Sequence, residues 1–550
     1  MKTGGQLIVD CLEANGASHA FLVPGESFLA VLDALHDSTI RPVVCRQEGG
    51  AAMMADCHGR LTGEPGICFV TRGPGATNAS AGVHIASQDS TPMILFIGQI
   101  ARGIREREAF QEVDYKRFFG DMAKWVAEID DAARIPEFVT RAYATATSGR
   151  PGPVVLVLPE DMLTDAVDAP EPMPYMPVET APSPAAMDAL CGYLERASRP
   201  FVILGGSGWT REAVSHFQSA AEKWALPVGV SFRRQMLFDH LHPCYAGDVG
   251  ISINPSLAAR IKEADLVLLV GGRMSEMPSQ DYTLLKSPYP DQTLIHVHAS
   301  AEELGRVYRP SLAIHSSPAA FAEAFAALTP PAAPPVWADE TPKAHADYRA
   351  WSTPPQTGPG DVAMGPLMAH LEEVLPPDAI LTNGAGNYAT WLHRFHRFRR
   401  FATQGAPTSG SMGYGVPGAV AAKLLFPERE VIAFAGDGCF QMTGQEFGTA
   451  MQHGANIIVL VVNNGIYGTI RMHQEREYPG RVSGTDMVNP DFAALARAYG
   501  GHGETVETTE DFAPAFERAR AAGKPAIIEI RLDPEALTVS RTLSDIRAGK

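Results

Sequence analysis

The sequence is poor in the features that mark secreted, membrane-bound or nucleic-acid-binding chains. Cysteine is sparse: seven in 550 residues, at 11, 45, 57, 68, 191, 244 and 439, with no Cys-x-x-Cys pair. They read as reduced thiols, as expected of a cytoplasmic protein. No apolar run approaches the roughly 20 residues that a membrane-spanning helix needs. The opening segment MKTGGQLIVDCLEANGASHAFLVPG lacks the apolar core of a secretory leader and spaces its apolar residues as a helix does. Positive charge is in deficit: 45 Lys and Arg against 62 Asp and Glu leave a net −17, with the cations scattered. That pattern disfavours nucleic acid and anionic membranes as partners. No Gly-x-Gly-x-x-Gly with an acid about 20 residues on appears in the right context, at a turn from an apolar strand into a helix, which argues against a nicotinamide-dependent dehydrogenase. There is no short-period repeat.

The length allows about three domains. Two stretches rich in Pro and Ala, at about 164–187 and 329–360, lack apolar periodicity and read as extended linkers. They divide the chain into units 1–165, 188–330 and 358–550. Each unit alternates helical segments with short apolar runs that end on glycine. Such runs are HAFLVPG, PGICFVTRGPG, TPMILFIG and GPVVLVLP in the first, RPFVILGG and ADLVLLVGGR in the second, and AILTNG, EVIAFAGDG and NIIVLVVNN in the third. Continuous Val/Ile/Leu runs of this length are the mark of parallel strands buried on both faces. The pattern predicts an α/β fold of three doubly wound domains with mostly parallel sheets.

In the third unit one predicted strand ends at Gly436-Asp437-Gly438 and another at Asn463-Asn464. Ligands of open parallel sheets sit beyond the carboxyl ends of the strands. If the two strands are neighbours, a carboxylate and an amide oxygen face one crevice. That pair suits Mg²⁺ or Ca²⁺ and leaves coordination places for phosphate oxygens. The glycines would let backbone approach a phosphate, with a helix starting near Phe440 aiming its amides there. The plainer alternative is that Asp437 caps a helix and the asparagines form a turn.

Gly-Asp-Gly followed at this separation by Asn-Asn resembles the thiamine diphosphate motif. CRQEGGAAMMADCHGRLTG, FVTRGPGATNASAGVHIASQDSTPMILFIGQI and AFQEVD resemble the pyrimidine-binding domain of acetolactate synthase-type enzymes. TSGSMGYGVPGAVAAKLLFP and NNGIYGTIRMHQEREYPGRVSGTDMVNPDFAALARAYG resemble their diphosphate-binding domain. NNGIYGTIR is also similar, more distantly, to benzoylformate decarboxylase. The resemblance implies thiamine diphosphate and Mg²⁺ as cofactors, with Asp437, Asn464 and the Ile466 carbonyl as metal ligands. It implies that Glu48 hydrogen-bonds the cofactor's pyrimidine, with Gly25, Pro74 and Asn78 near by. Gly410 and Met412 would hold the bent cofactor, and Ala385, Gly386, Asn387, Gly436, Gly438, Cys439, Tyr467, Gly468 and Thr469 its diphosphate end. Gln111 and His473 are further catalytic candidates.

Other positions stay open. Glu26 either caps the helix SFLAVLDALH or brings a charge near the reacting centre, and the cap is the reading followed here. Arg72 either holds a substrate carboxylate or pairs with a structural acid. His84 is a further pocket candidate. FAD is doubtful, because VGGRMSEMPSQDYTLL keeps Arg273 but none of the paired aspartates of flavin-binding relatives. The implied reaction is acetolactate synthase-like carboligation of a 2-oxo acid through an enamine; the alternative is simple 2-oxo acid decarboxylation. Substrates would be small 2-oxo acids or 2-hydroxy ketones. The implied assembly is a homodimer with shared sites, within a tetramer.

Overall fold

The computed structural model describes residues 1–549 and contains three six-stranded parallel sheets in succession along the chain. The apolar runs become inner strands: Gly66–Val70, Met93–Gln99 and Pro153–Pro159 are buried at every residue. Edge to edge, the first sheet runs Arg41–Val44, His19–Leu22, Gly66–Val70, Met93–Gln99, Pro153–Pro159 and Trp125–Glu128. The third runs Gln404–Gly405, Ile380–Asn383, Val431–Gly436, Ile458–Asn463, Ala526–Arg531 and His502–Val506. Numbered by chain order within each sheet, both read 2-1-3-4-6-5. The central sheet runs Tyr245–Val249, Val228–Ser231, Pro200–Leu204, Leu266–Val270, Thr293–His298 and Leu312–His315, or 3-2-1-4-5-6. In the central sheet the direction of winding reverses once; in the first and third it reverses after the second strand and again at the sixth, which lies inside the fifth. A crevice opens at the first reversal, at the carboxyl ends of the strands.

The sequence pattern did not foresee Trp125–Glu128, Tyr245–Val249, Leu312–His315, Gln404–Gly405 or His502–Val506, and each of these is an edge strand. The stretch 329–360 also departs from a plain linker. It contains a helix, Glu340–Trp351, with Thr341, Ala344 and Tyr348 buried. Tyr348 sets its ring edge-on to Tyr245, 4.6 Å between centroids, so one widely spaced aromatic docks a helix that is otherwise polar. In the stretch 164–187, Ala166–Val167 pairs with Lys2–Thr3, and a helix begins at Pro184 under a Ser183 cap.

The first and third units share a core. Helix Glu48–Thr62 packs on helix Gly415–Leu425, with Cys57 Sγ against the Gly418 carbonyl at 3.3 Å, and the buried apolar residues of both belong to one core. A buried polar network fastens the central unit to both. Asp89 accepts from Arg60 (2.7 Å), from Arg234 (3.4 Å), and from the amide and hydroxyl of Thr408 (2.9 and 2.6 Å). Tyr414 donates to Asp56 at 2.7 Å, and Asp56 also pairs with Arg60 at 3.3 Å. Two acids and two arginines bury each other's charge, so no member can be removed without stranding another.

Candidate active site

Strands Val431–Gly436 and Ile458–Asn463 are neighbours, with Gly436 opposite Val462. The helix that follows the first of them begins at Asp437, three residues before the expected Phe440. Gly436 is its extended cap, and the carboxylate occupies the first turn rather than the capping position. Asp437 Oδ1 accepts from the Gly438 amide at 2.8 Å. Its Oδ2 accepts from the Gly465 amide at 2.9 Å and from Asn489 Nδ2 at 2.8 Å. Burial pushes the Asp437 carboxyl up, and these donors pull it back.

The residue after Asn464 therefore touches Asp437. Both side chains line one cavity of about 250 Å³, and so does every other candidate of the third unit except His473, from Ala385 to Thr469. Among the described residues no group of three or more His, Cys, Asp or Glu could by itself hold a metal. A cation between Asp437 and Asn464 would thus have one carboxylate and neutral oxygens, and would complete its shell from a phosphate ligand or water. The residues present fit a diphosphate–Mg²⁺ group on those grounds.

The walls are tied together. Cys439 Sγ accepts from Tyr388 Oη and from the Gly413 amide, both at 3.1 Å. The Gly384 amide donates to Tyr388 Oη at 3.2 Å. The Asn387 amide donates to Thr469 Oγ1 at 3.1 Å, and Thr469 donates back to Asn387 Oδ1 at 3.0 Å. Met412 is half-buried against the core of the third sheet and faces the cavity.

The first-unit candidates form a second group. Glu48 opens helix Glu48–Thr62, and the Gln47 side chain caps it, accepting from the Gly50 amide at 3.1 Å. The amides of Arg46 and Gln47 donate to the buried Glu446 of the third unit at 3.1 and 2.9 Å. Asn78 donates to Glu48 Oε2 at 3.0 Å. Pro74 starts helix Pro74–Asp89 after Gly73, whose φ of +58° suits glycine. A Cβ on Gly73 would lie 2.8 Å from that of Gln111, so Gln111 rests on this turn. A Cβ on Gly25 would lie 2.5 Å from that of Thr71.

Glu26 does not cap the helix that follows it. It pairs with Arg72 at 2.6 Å, and Arg72 also holds Glu160 at 3.1 Å. A guanidinium one strand away is the better partner for a carboxylate than the amides of a short 3₁₀ turn. Arg72 is thereby paired with structural acids, the second of its two readings. His84 is exposed. His473 is exposed too, accepts from Arg476 at 2.8 Å, and lies on the rim of a larger cavity of about 890 Å³.

Neither cavity includes Gly25, Glu48, Pro74, Asn78 or Gln111. One chain thus keeps its two groups of candidates apart. Sequence reasoning also missed Asn489, which donates to both Asp437 and Asn463 at 2.8 Å, and it missed Tyr388 and Glu446. Asn489 carried one signal, its place just before the Asp491-capped helix Phe492–Ala498.

Comparison with known proteins finds the same three parts. Residues 2–118 match the model of the thiamine pyrophosphate enzyme N-terminal TPP binding domain, 187–325 the central domain, and 384–530 the C-terminal TPP binding domain. The chain is 30% identical to the acetolactate synthase large subunit of Corynebacterium glutamicum, over 97% of this chain and 87% of that protein. It is 28% identical to the isozyme 2 large subunit of Escherichia coli, over 96% and 95%. It is 27% identical to the acetolactate synthase of Bacillus subtilis, over 96% and 93%. The chain belongs to the thiamine pyrophosphate enzymes, and its relatives place it among those that are acetolactate synthase-like.

Proposed function

We propose that the protein joins 2-oxo acids as an acetolactate synthase-like carboligase, with thiamine diphosphate held through Mg²⁺ in the third-unit crevice. The observation that carries this is the meeting of Asp437 with the Asn464 loop at adjacent strand ends. When bound, the cofactor supplies a carbon nucleophile that adds to a carbonyl and stores the electron pair left by CO₂. Asp437, Asn464 and the Ile466 carbonyl hold the cation. The loop 385–387 and the start of helix Gly468–Glu477 receive the diphosphate, with free helical amides and the positive end of the dipole directed at it. Met412 and Gly410, which line the same cavity, would hold the cofactor between its two ends. Glu48 holds a proton at the pyrimidine edge, fixed in place by Asn78 and, through backbone, by Glu446. Gln111 faces the substrate carbonyl, and His473 stands at the entrance. Carboligation moves no net electrons, so FAD has no role in this reading.

The units 1–165, 188–330 and 358–550 supply these parts from two chains. Phe110 beside Gln111 is 74% exposed and Ile470 beside Thr469 is 54% exposed, as expected of residues that a second copy covers. A dimer brings Glu48 of one copy to the crevice of the other. Two such dimers make the tetramer. No helix among the described residues is long and apolar enough to cross a membrane.

The direct test supplies purified protein with Mg²⁺, thiamine diphosphate and a panel of 2-oxo acids. CO₂ and coupled products are followed separately. Acetolactate-type products at about half the molar amount of acid consumed support the reading. Stoichiometric aldehyde with no coupled product would make it a decarboxylase.

A further inference from the structure

Among the described residues that line the smaller cavity, Asp437 is the only acid. Its hydrogen bonds fall unevenly on its two oxygens. Oδ1 takes one donor, the Gly438 amide at 2.8 Å. Oδ2 takes two, the Gly465 amide at 2.9 Å and Asn489 Nδ2 at 2.8 Å. Each carboxylate oxygen offers two lone pairs. Oδ2 is therefore filled, and Oδ1 keeps one lone pair for a cation.

Asn489 is brought to this place by chain that folds back over the Asn-Asn motif. The Met487 amide donates to the Gly465 carbonyl and the Tyr467 amide to the Thr485 carbonyl, both at 2.9 Å. Asn489 Nδ2 gives its other hydrogen to Asn463 Oδ1 at 2.8 Å, and Asn489 Oδ1 accepts from Gln441 Nε2 at 2.8 Å. Asn463 in turn donates from Nδ2 to Glu529 Oε1 at 2.7 Å, and Arg531 Nε lies 3.7 Å from the same oxygen. Glu529 is 2% exposed in strand Ala526–Arg531 and lines neither cavity. A carboxylate accepts and does not donate. With Asp437 at one end of this chain and Glu529 at the other, neither amide can turn over without setting oxygen against oxygen. A buried acid outside the crevice thus fixes which atom of Asn489 faces Asp437.

The two ions suited to a hard-oxygen site ask different things of a carboxylate. Mg²⁺ demands a small octahedral shell and shares it with water and phosphate oxygens. Ca²⁺ takes up to about eight oxygens and accepts both from one carboxylate. We propose that Asn489 is a specificity-determining residue of the cation site: by filling Asp437 Oδ2 it confines the ion to Oδ1 and so favours Mg²⁺ over Ca²⁺. Asn463 and Glu529 are the positioning residues behind it. The proposal rests on the reading of Asp437 as a ligand of the cofactor's cation. Removing Asn489 frees one lone pair on Oδ2, and the carboxylate can then offer both oxygens, a gain for Ca²⁺ and none for Mg²⁺.

The test uses the full-length protein stripped of metal. Thiamine diphosphate is titrated by calorimetry with Mg²⁺, with Ca²⁺ and with neither. The wild type should bind it most tightly with Mg²⁺. In Asn489→Ala the affinity with Mg²⁺ should fall roughly 10- to 100-fold, the cost of losing an outer partner of a metal ligand. The affinity with Ca²⁺ should fall less, so that the preference for Mg²⁺ narrows at least about fivefold. Glu529→Gln, which lets Asn463 turn over, should narrow it by a smaller factor. So should Gln441→Ala, an exposed position whose variant serves if Asn489→Ala does not fold. Equal losses with the two ions would overturn the proposal, because a merely structural bond is lost alike for both. So would an unaltered or widened preference in the variant that folds, or a wild type that binds as tightly with Ca²⁺ as with Mg²⁺. A wild type whose affinity is the same with either ion and with neither sinks the parent reading instead.

Discussion

The first and third sheets are wound in the same strand order, yet they end their strands in different chemistry. At its switch point the third sheet carries Asp437 and, one strand over, Asn464, hard oxygens suited to a cation and a diphosphate. The first sheet carries no such pair. Its crevice presents Glu48, Asn78 and Gln111, groups that hydrogen-bond a heterocycle or a carbonyl. In the proposed reading one scaffold serves two tasks: the third sheet would grip charge and the first would manage a proton. The lesson is that winding order places a crevice, and the residues closing each strand decide what it binds. The central sheet, wound 3-2-1-4-5-6, has its own crevice.

If the two crevices are halves of one site, they should fail differently. Glu48→Gln should lower kcat by about 10²–10⁴-fold, the range of one positioned proton carrier, while thiamine diphosphate still binds. Asp437→Ala should lose cofactor binding itself. Mixing Glu48→Ala chains with Asp437→Ala chains should then restore part of the activity, because a mixed dimer contains one intact site. No recovery despite demonstrated subunit exchange would separate the two crevices and end the shared-site account.

A smaller effect sharpens the comparison at the join. Asp89 collects Arg60, Arg234 and the Thr408 loop that leads to Gly410 and Met412. Asp89→Asn should cost about 3–5 kcal/mol, the price of stranding buried cations, read as a lower midpoint in urea unfolding. The smallest effect belongs to the first crevice. Arg72→Met should cost no more than about 1 kcal/mol, since Glu26 and Glu160 are both substantially exposed. A large loss of activity from Arg72→Met would return that residue to the substrate site.

The inner strands and the Asp437–Asn464 meeting were legible because both rest on local pattern: an apolar run buried on two faces, then a small polar residue at its end. Five of the six edge strands were not, Arg41–Val44 being the exception. Tyr245–Val249 and His502–Val506 bury fewer apolar side chains in sequence, and only a neighbouring strand makes them strands. The Asp437 carboxylate could be placed from sequence, but its clamp by Asn489 could not, because that bond depends on a loop folding back across the crevice. Glu26 was misread for a similar reason. Its nearest sequence feature is a helix start, whereas its partner Arg72 comes from the neighbouring strand's end. The helix within 329–360 was hidden by its Pro- and Ala-rich setting.

The central claim is that Asp437 and Asn464 share one cation that carries the cofactor's diphosphate. Calorimetric titration of thiamine diphosphate into metal-stripped protein, with and without added Mg²⁺, tests it most directly. Binding should strengthen at least about tenfold with Mg²⁺ in the wild type, and Asp437→Ala should not respond to the metal. Equally tight, metal-independent binding in both proteins would contradict it.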